Sequence, residues 1–144
     1  MSDEKPHILL VEDNPADADL VEEALAEAQV HCGLSVVRDG LQAIEFVERV
    51  DAEPAARCPD LVMLDLNLPK VNGMEVLSRM RSSARFRSVK VLVISSSNAA
   101  ADRERSLQLG ASEYFHKPSD LGQFMALGLR IRAMLENSDS RAAG

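Results

Sequence analysis

The chain has 144 residues, enough for one domain with a sizeable core and too few for two. A hydrophobic share of 46% and a charged share of 27% are those of a globular fold, and a net charge of −7 argues against a nucleic-acid backbone as the main partner. With no apolar run of the ~18 residues that would suggest a membrane span and no apolar leader after Met1, the expectation is a cytoplasmic protein; Cys32 and Cys58, outside any CxxC or Cys/His cluster, are expected to be free thiols.

Residues 7–11 (His, Ile, Leu, Leu, Val) form an apolar run that stops at Glu12 and Asp13, as a short strand would. Asn14 and Pro15 then pair a capping residue with proline at a first helical position. Leu20, Val21, Ala24, Leu25 and Ala28 recur at helical spacing, so residues 15–29 are expected to form an amphipathic helix with Asp17, Asp19, Glu22, Glu23 and Glu27 turned to water. A weaker strand at 34–37 ends at Asp39 and Gly40, Ala43, Ile44 and Val47 mark a second helix to about Val50, and residues 51–59 are a loop.

Leu61 to Leu64 is an unbroken apolar run that delivers Asp65 at its end and is bracketed by Pro59 and Pro69. Such a run fits a strand buried on both faces of a parallel sheet, and Pro69 would break a helix. After a turn at 70–73, Val76, Leu77 and Met80 mark a third helix, ending in Arg79, Arg81, Arg85 and Arg87, which suit a helix C-terminus. A fourth strand at 89–94 runs into Ser95, Ser96 and Ser97. A polar helix at 99–109 has Leu107 and Leu109 as core anchors and stops at Gly110; a fifth strand at 112–116 precedes Lys117 and Pro118. Ser119 is expected to cap a last helix running to about Asn137, which leaves 138–144 as a frayed tail. On that helix Leu121, Phe124, Met125 and Leu135 form the expected core stripe. Leu127, Ile131 and Met134 on its flank, with Leu129, widen the apolar arc to roughly 220°. Something besides the sheet should cover it, and the expectation is a homodimer through the face of helix four, strand five and helix five.

Five strands alternating with five helices imply right-handed parallel βα units, so the fold class is α/β, a doubly wound sheet with helices on both faces. Ligands in such sheets bind beyond the carboxyl ends of the strands, where Glu12, Asp13, Asp65, Ser95 and Lys117 all fall. Three neighbouring carboxylates repel unless a cation intervenes, and oxygen-only ligation suits Mg²⁺. A lysine and a hydroxyl beside them supply the counter-charge and positioning that a phosphoryl group needs, and a carboxylate can itself be the nucleophile. Singly, each residue has a plainer account: Asp65 as a turn residue, residues 12–15 as helix capping, Lys117 as a solvated lysine, residues 95–97 as the start of a loop. Jointly, four strand ends would have to carry complementary groups by chance.

These residues resemble the receiver domains of two-component response regulators. The resemblance rests on an acidic pair after strand one, the D-x-N-x-P-x-x-x-G loop of Asp65, Asn67, Pro69 and Gly73, a hydroxyl after strand four and Lys-Pro after strand five, and it covers roughly residues 7–136. It implies the flavodoxin-like strand order 2-1-3-4-5, a single receiver domain over 1–137 and no output domain. It further implies that Asp65 accepts a phosphoryl group from a sensor histidine kinase. Asp13, Asp65 and the backbone carbonyl of Asn67 would ligate Mg²⁺, Glu12 would act through water, Lys117 would pair with the phosphate, and Ser95 with Tyr114 would form the switch. Glu12 and Ser95 depart from the family's commoner aspartate and threonine while keeping the chemistry. The opening Glu-Asp-Asn-Pro-Ala-Asp and the long 51–59 loop are similar to regulators that partner phytochrome-type kinases. The domain would not be an enzyme in the turnover sense. A phosphatase of the haloacid dehalogenase type wants a second acid where Asn67 stands; a flavodoxin-like cofactor binder wants a phosphate loop after strand one; a degenerate receiver would not retain Asp13, Asp65, Ser95 and Lys117 together.

Overall fold

The computed structural model describes residues 5–143. The strands β1 (His7–Val11), β2 (Gly33–Val37), β3 (Leu61–Asp65), β4 (Lys90–Ser95) and β5 (Glu113–His116) form one parallel sheet in the order β2-β1-β3-β4-β5. The helices α1 (Pro15–Glu27), α2 (Gly40–Ala52), α3 (Gly73–Ser82), α4 (Ala100–Gln108) and α5 (Leu121–Ala143) alternate with them. This is the doubly wound order expected from the sequence, with its reversal between β1 and β3.

The alternation of side chains along each strand divides the core into two layers. Ile8, Leu10, Leu61, Met63, Leu92 and Ile94 meet Val21 and Leu25 of α1 and Phe124, Leu127, Ile131 and Met134 of α5. On the opposite face Leu9, Val11, Val62, Leu64, Val91 and Val93 meet Ala43, Ile44 and Val47 of α2 and Val76, Leu77 and Met80 of α3. Burial on both faces is why β1, β3 and β4 carry unbroken apolar runs, whereas the edge strand β2 is half-buried throughout. Val11 pairs with Leu64, Asp65 with Ile94 and Ser95 with His116, so the residues that leave β1, β3, β4 and β5 stand in one row at the carboxyl edge.

Several sequence expectations change. The buried stripe of α5 is Phe124, Leu127, Ile131, Met134 and Leu135, while Leu121 and Leu129 are 56% and 61% exposed. The residues placed on the flank are therefore core. Gly128 shares this burial because α5 packs directly on α1, where an added Cβ would overlap the Ala24 carbonyl oxygen. With the sheet and α1 both covering the flank residues, the apolar arc left open on α5 narrows to Leu121 and Leu129. The helix also runs to Ala143 rather than stopping near Asn137, and its first turn is capped by Asp120, whose carboxylate accepts from the amides of Gly122 and Gln123, rather than by Ser119.

Helix α3 stops at Ser82, before Arg85 and Arg87. Arg81 does not simply face the helix end: its guanidinium donates to the carbonyls of Phe86, Arg87, Val89 and Gly110, tying the exit of α3 to the start of β5. Arg85 donates to the carbonyls of Val50, Glu53 and Ala56 and pins the loop after α2. In α4 the buried residue is Ser106, and Leu107 is exposed. Cys32 and Cys58 are free thiols. Among the described residues no helix is long and apolar enough to cross a membrane.

Candidate functional site

Asp65 ends β3 and is 4% exposed, carried to the rim by a strand that is otherwise wholly buried. Its Oδ1 accepts from the amide of Asn67 at 2.9 Å, which fixes the carboxylate against its own turn. That turn needs its glycine: the Gly73 amide donates to the Leu66 carbonyl at 2.9 Å, and a Cβ there would overlap the Asp65 carbonyl oxygen. Lys70, between them, has φ 69°, with the Val71 amide donating to the Pro69 carbonyl at 2.8 Å, a strained three-residue turn.

From β1 come Glu12, fully buried, and Asp13, exposed to solvent. Glu12 Oε2 accepts from the Asn14 amide at 3.2 Å, and Oε1 accepts from Lys117 Nζ at 2.8 Å. The backbone of Lys117 is held to β4 by its amide, which donates to the Ser95 carbonyl at 2.7 Å. Its ammonium also donates to Asp65 Oδ2 at 3.0 Å and to Asp17 Oδ2 at 2.9 Å. Thus Glu12, Asp13, Asp65 and Lys117 meet as side chains, while Ser95 is tied to Lys117 through its backbone carbonyl, and one unexpected residue joins the group: Asp17, assigned to water on the outer face of α1, turns into the site instead. Its position in the first helical turn looks like a complement to the helix dipole, so periodicity gave no signal for this contact.

One oxygen from each of Glu12, Asp13 and Asp65 lies within 4.8 Å of the others, the one such acidic group among the described residues. The set offers hard oxygen donors with one member, Asp13, open to water, which suits a partly hydrated Mg²⁺. Burial pushes the Glu12 carboxyl up to about 7 despite its bond to Lys117, with the Asp65 charge adding to the rise. For Lys117 burial acts to lower the pKa, but the carboxylates of Glu12, Asp17 and Asp65 more than reverse it and keep the ammonium charged.

Ser95 is fully buried and its Oγ accepts from the Ser97 amide at 3.0 Å. Tyr114 is half-buried, and its hydroxyl donates to the Ser97 carbonyl at 2.8 Å. Ser97 also donates from Oγ to Asp102 Oδ2 at 2.6 Å, so this residue links the two sequence-named switch residues to α4. Beside them Asn98, Ala99, Ala100, Arg103, Tyr114 and His116 line a groove of about 220 Å³ between α4 and β5.

Residues 8–127 match the family model of the response regulator receiver domain. Response regulator Rcp1 of Synechocystis sp. is 36% identical over 114 residues, a match covering 79% of this chain and 78% of Rcp1. The solved structure of the phosphorylated cyanobacterial phytochrome response regulator RcpA is similar with a TM-score of 0.79 at 37% identity, covering 88% of this chain and 91% of that one. The Mn²⁺-bound form of Rcp1 also gives 0.79, at 33% identity, covering 89% and 92%. The strand order, the acids at the carboxyl edge and a family match across most of the length lead to one assignment: this chain belongs to the response regulator receiver domains.

Proposed function

We propose that the protein is a phosphorylation switch in which Asp65 takes a phosphoryl group from the phosphohistidine of a sensor kinase. The observation that carries this reading is the meeting of Lys117 Nζ with Asp65 Oδ2 at 3.0 Å beside the acidic trio. An Asp65 oxygen attacks phosphorus, the N–P bond of the donor breaks, and its electron pair returns to the kinase imidazole. The product is an acyl phosphate. Asp13, Asp65 and the Asn67 carbonyl would hold Mg²⁺, with Glu12 acting through water, and the chemistry such an ion would supply is positive charge beside the transferring group. Lys117 steadies the carboxylate before transfer and pairs with a phosphoryl oxygen after it. Ser95 exchanges its Ser97 partner for the phosphoryl group, and Tyr114, bonded to the Ser97 carbonyl, follows.

The turnover phosphatase alternative is disfavoured by Asn67, an amide where the second acid would stand. A phytochrome-type kinase as donor is supported by the likeness to RcpA, and a cytoplasmic location fits such a partner. The groove between α4 and β5 is the surface on which a second copy or a downstream protein reads the switch, so the homodimer expected through this face rests on the groove and no longer on α5. Incubation with acetyl phosphate and Mg²⁺ should label the wild-type protein and leave Asp65→Asn unlabelled, since the amide is nearly isosteric but forms no acyl phosphate. Labelling of the variant at the wild-type level would overturn the assignment.

A further inference from the structure

An ammonium has three N–H groups, and on Lys117 all three are committed: Glu12 at 2.8 Å, Asp17 at 2.9 Å and Asp65 at 3.0 Å. Transfer turns the Asp65 carboxylate into an acyl phosphate, so the N–H that Asp65 holds passes to a phosphoryl oxygen, and a second N–H for the phosphoryl group can come only from Glu12 or Asp17. These two are not equal in what they lose. The Glu12 side chain is 0% exposed and would lose the lysine with no water to take its place, whereas the Asp17 side chain is 27% exposed and can be rehydrated where it stands. Position points the same way. Asp17 belongs to α1, whose first turn is fixed independently by Asn14 Oδ1 accepting from the amides of Ala16 and Asp17, so releasing the lysine leaves the helix start intact.

Resting on the phosphoacceptor reading above, we propose that Asp17 is a positioning residue that holds Lys117 in reserve and is the carboxylate that releases a further N–H of the lysine when a phosphoryl group arrives. It touches neither the phosphoryl group nor the reacting oxygen, and acts through the lysine. Its carboxylate competes with the phosphoryl group for one N–H, so it sets how strongly the site prefers the modified state over the unmodified one.

The test is beryllofluoride binding at saturating Mg²⁺, followed in the wild-type protein, Asp17→Asn and Asp17→Glu, with the lysine ammonium observed by nitrogen-15 NMR. Asp17→Asn should bind beryllofluoride about fivefold tighter, the order expected when one partly exposed ion pair stops competing. The Lys117 ammonium signal should broaden or vanish in the free variant, and Asp17→Glu, which keeps a charged partner, should restore both toward wild type. The same Asp17→Asn change made in Lys117→Ala should leave the residual beryllofluoride affinity unaltered. An equal gain in that background would show a charge effect through space and overturn the proposal, as would an unchanged or weaker affinity in a folded Asp17→Asn with wild-type Lys117. If the wild-type protein itself binds no beryllofluoride, the phosphoacceptor reading fails, a result distinct from either.

Discussion

Glu12 is the carboxylate of the site with no exposure, and its burial moves the pH range in which it titrates. Its folded value, about 7, lies above the ordinary 4.5, so the native state holds this proton more tightly than the unfolded chain does. The stability it contributes is complete below the ordinary value and is lost as pH rises through about 7 in metal-free protein. A bound Mg²⁺ would invert the preference, because a cation beside the trio favours the carboxylate form. Affinity for Mg²⁺ should therefore rise with pH through about 7, by up to about tenfold between pH 6 and pH 8 if the proton competes fully. Glu12→Gln, which has no proton to lose there, should bind Mg²⁺ more weakly and with a flat profile over that range. Calorimetric titration at the two pH values checks both statements, and a wild-type profile that is flat contradicts them. That Glu12, Asp13, Asp65, Ser95 and Lys117 gather at one edge of the sheet was legible in the sequence because each ends or follows a strand. What each oxygen bonds was not legible. The split of Glu12 between Asn14 and Lys117, and the turn of Asp17 into the site, depend on χ angles that spacing along the chain does not encode.

Among the elements, the strands were the most legible and α5 the least. A helical wheel ranks faces by the density of large side chains, which put Leu121 and Met125 in the core and Ile131 and Met134 on the flank. Small residues decide the matter instead. Ala24, Ala28 and Gly128 let α1 and α5 approach closely, and this contact rotates the buried face toward Leu127, Ile131 and Met134. α4 gave a similar error: its buried residue, Ser106, satisfies its own hydroxyl on the Arg103 carbonyl at 2.9 Å and so reads as polar while packing inward. The consequence for mutation is sharp. Ile131→Asp places a carboxylate among Leu, Val and Phe side chains with no partner and should cost about 3 to 5 kcal/mol, enough to unfold much of the population. Leu129→Asp, on the open side, should change stability by less than about 0.5 kcal/mol. Urea unfolding followed by circular dichroism separates the two, and equal costs would mean that the buried face of α5 is misplaced.

At the scale of the whole molecule, the doubly wound α/β class was legible because alternation of strand and helix, with right-handed crossovers, leaves few arrangements open, whereas the strand order rested on the family resemblance. The register then brings residues from opposite ends of the chain together, and the 2.8 Å contact between Glu12 and Lys117 joins β1 to the end of β5 across the reversal in strand order. The same convergence makes the site a point of stored repulsion. Glu12, Asp17 and Asp65 surround a single ammonium and Asp13 lies beside Glu12 and Asp65, so this edge of the sheet carries excess negative charge that the packed core must hold in place. A cation would relieve that repulsion, and a phosphoryl analogue would then find its counter-charge, only in the folded state, since the unfolded chain parts Asp65 and Lys117 from the acids of residues 12–17. Binding should therefore stabilise the whole domain by mass action, by about 2.7 kcal/mol when the ligand stands at 100 times its dissociation constant. For a domain of this size that corresponds to a rise in melting temperature of about 5 to 10 °C. Differential scanning calorimetry should show one step on adding Mg²⁺ and a second on adding beryllofluoride. Asp65→Asn should melt higher than wild type without ligand, because one acid is gone, yet lack the beryllofluoride step. A second step that survives in Asp65→Asn would place the analogue somewhere other than this carboxylate.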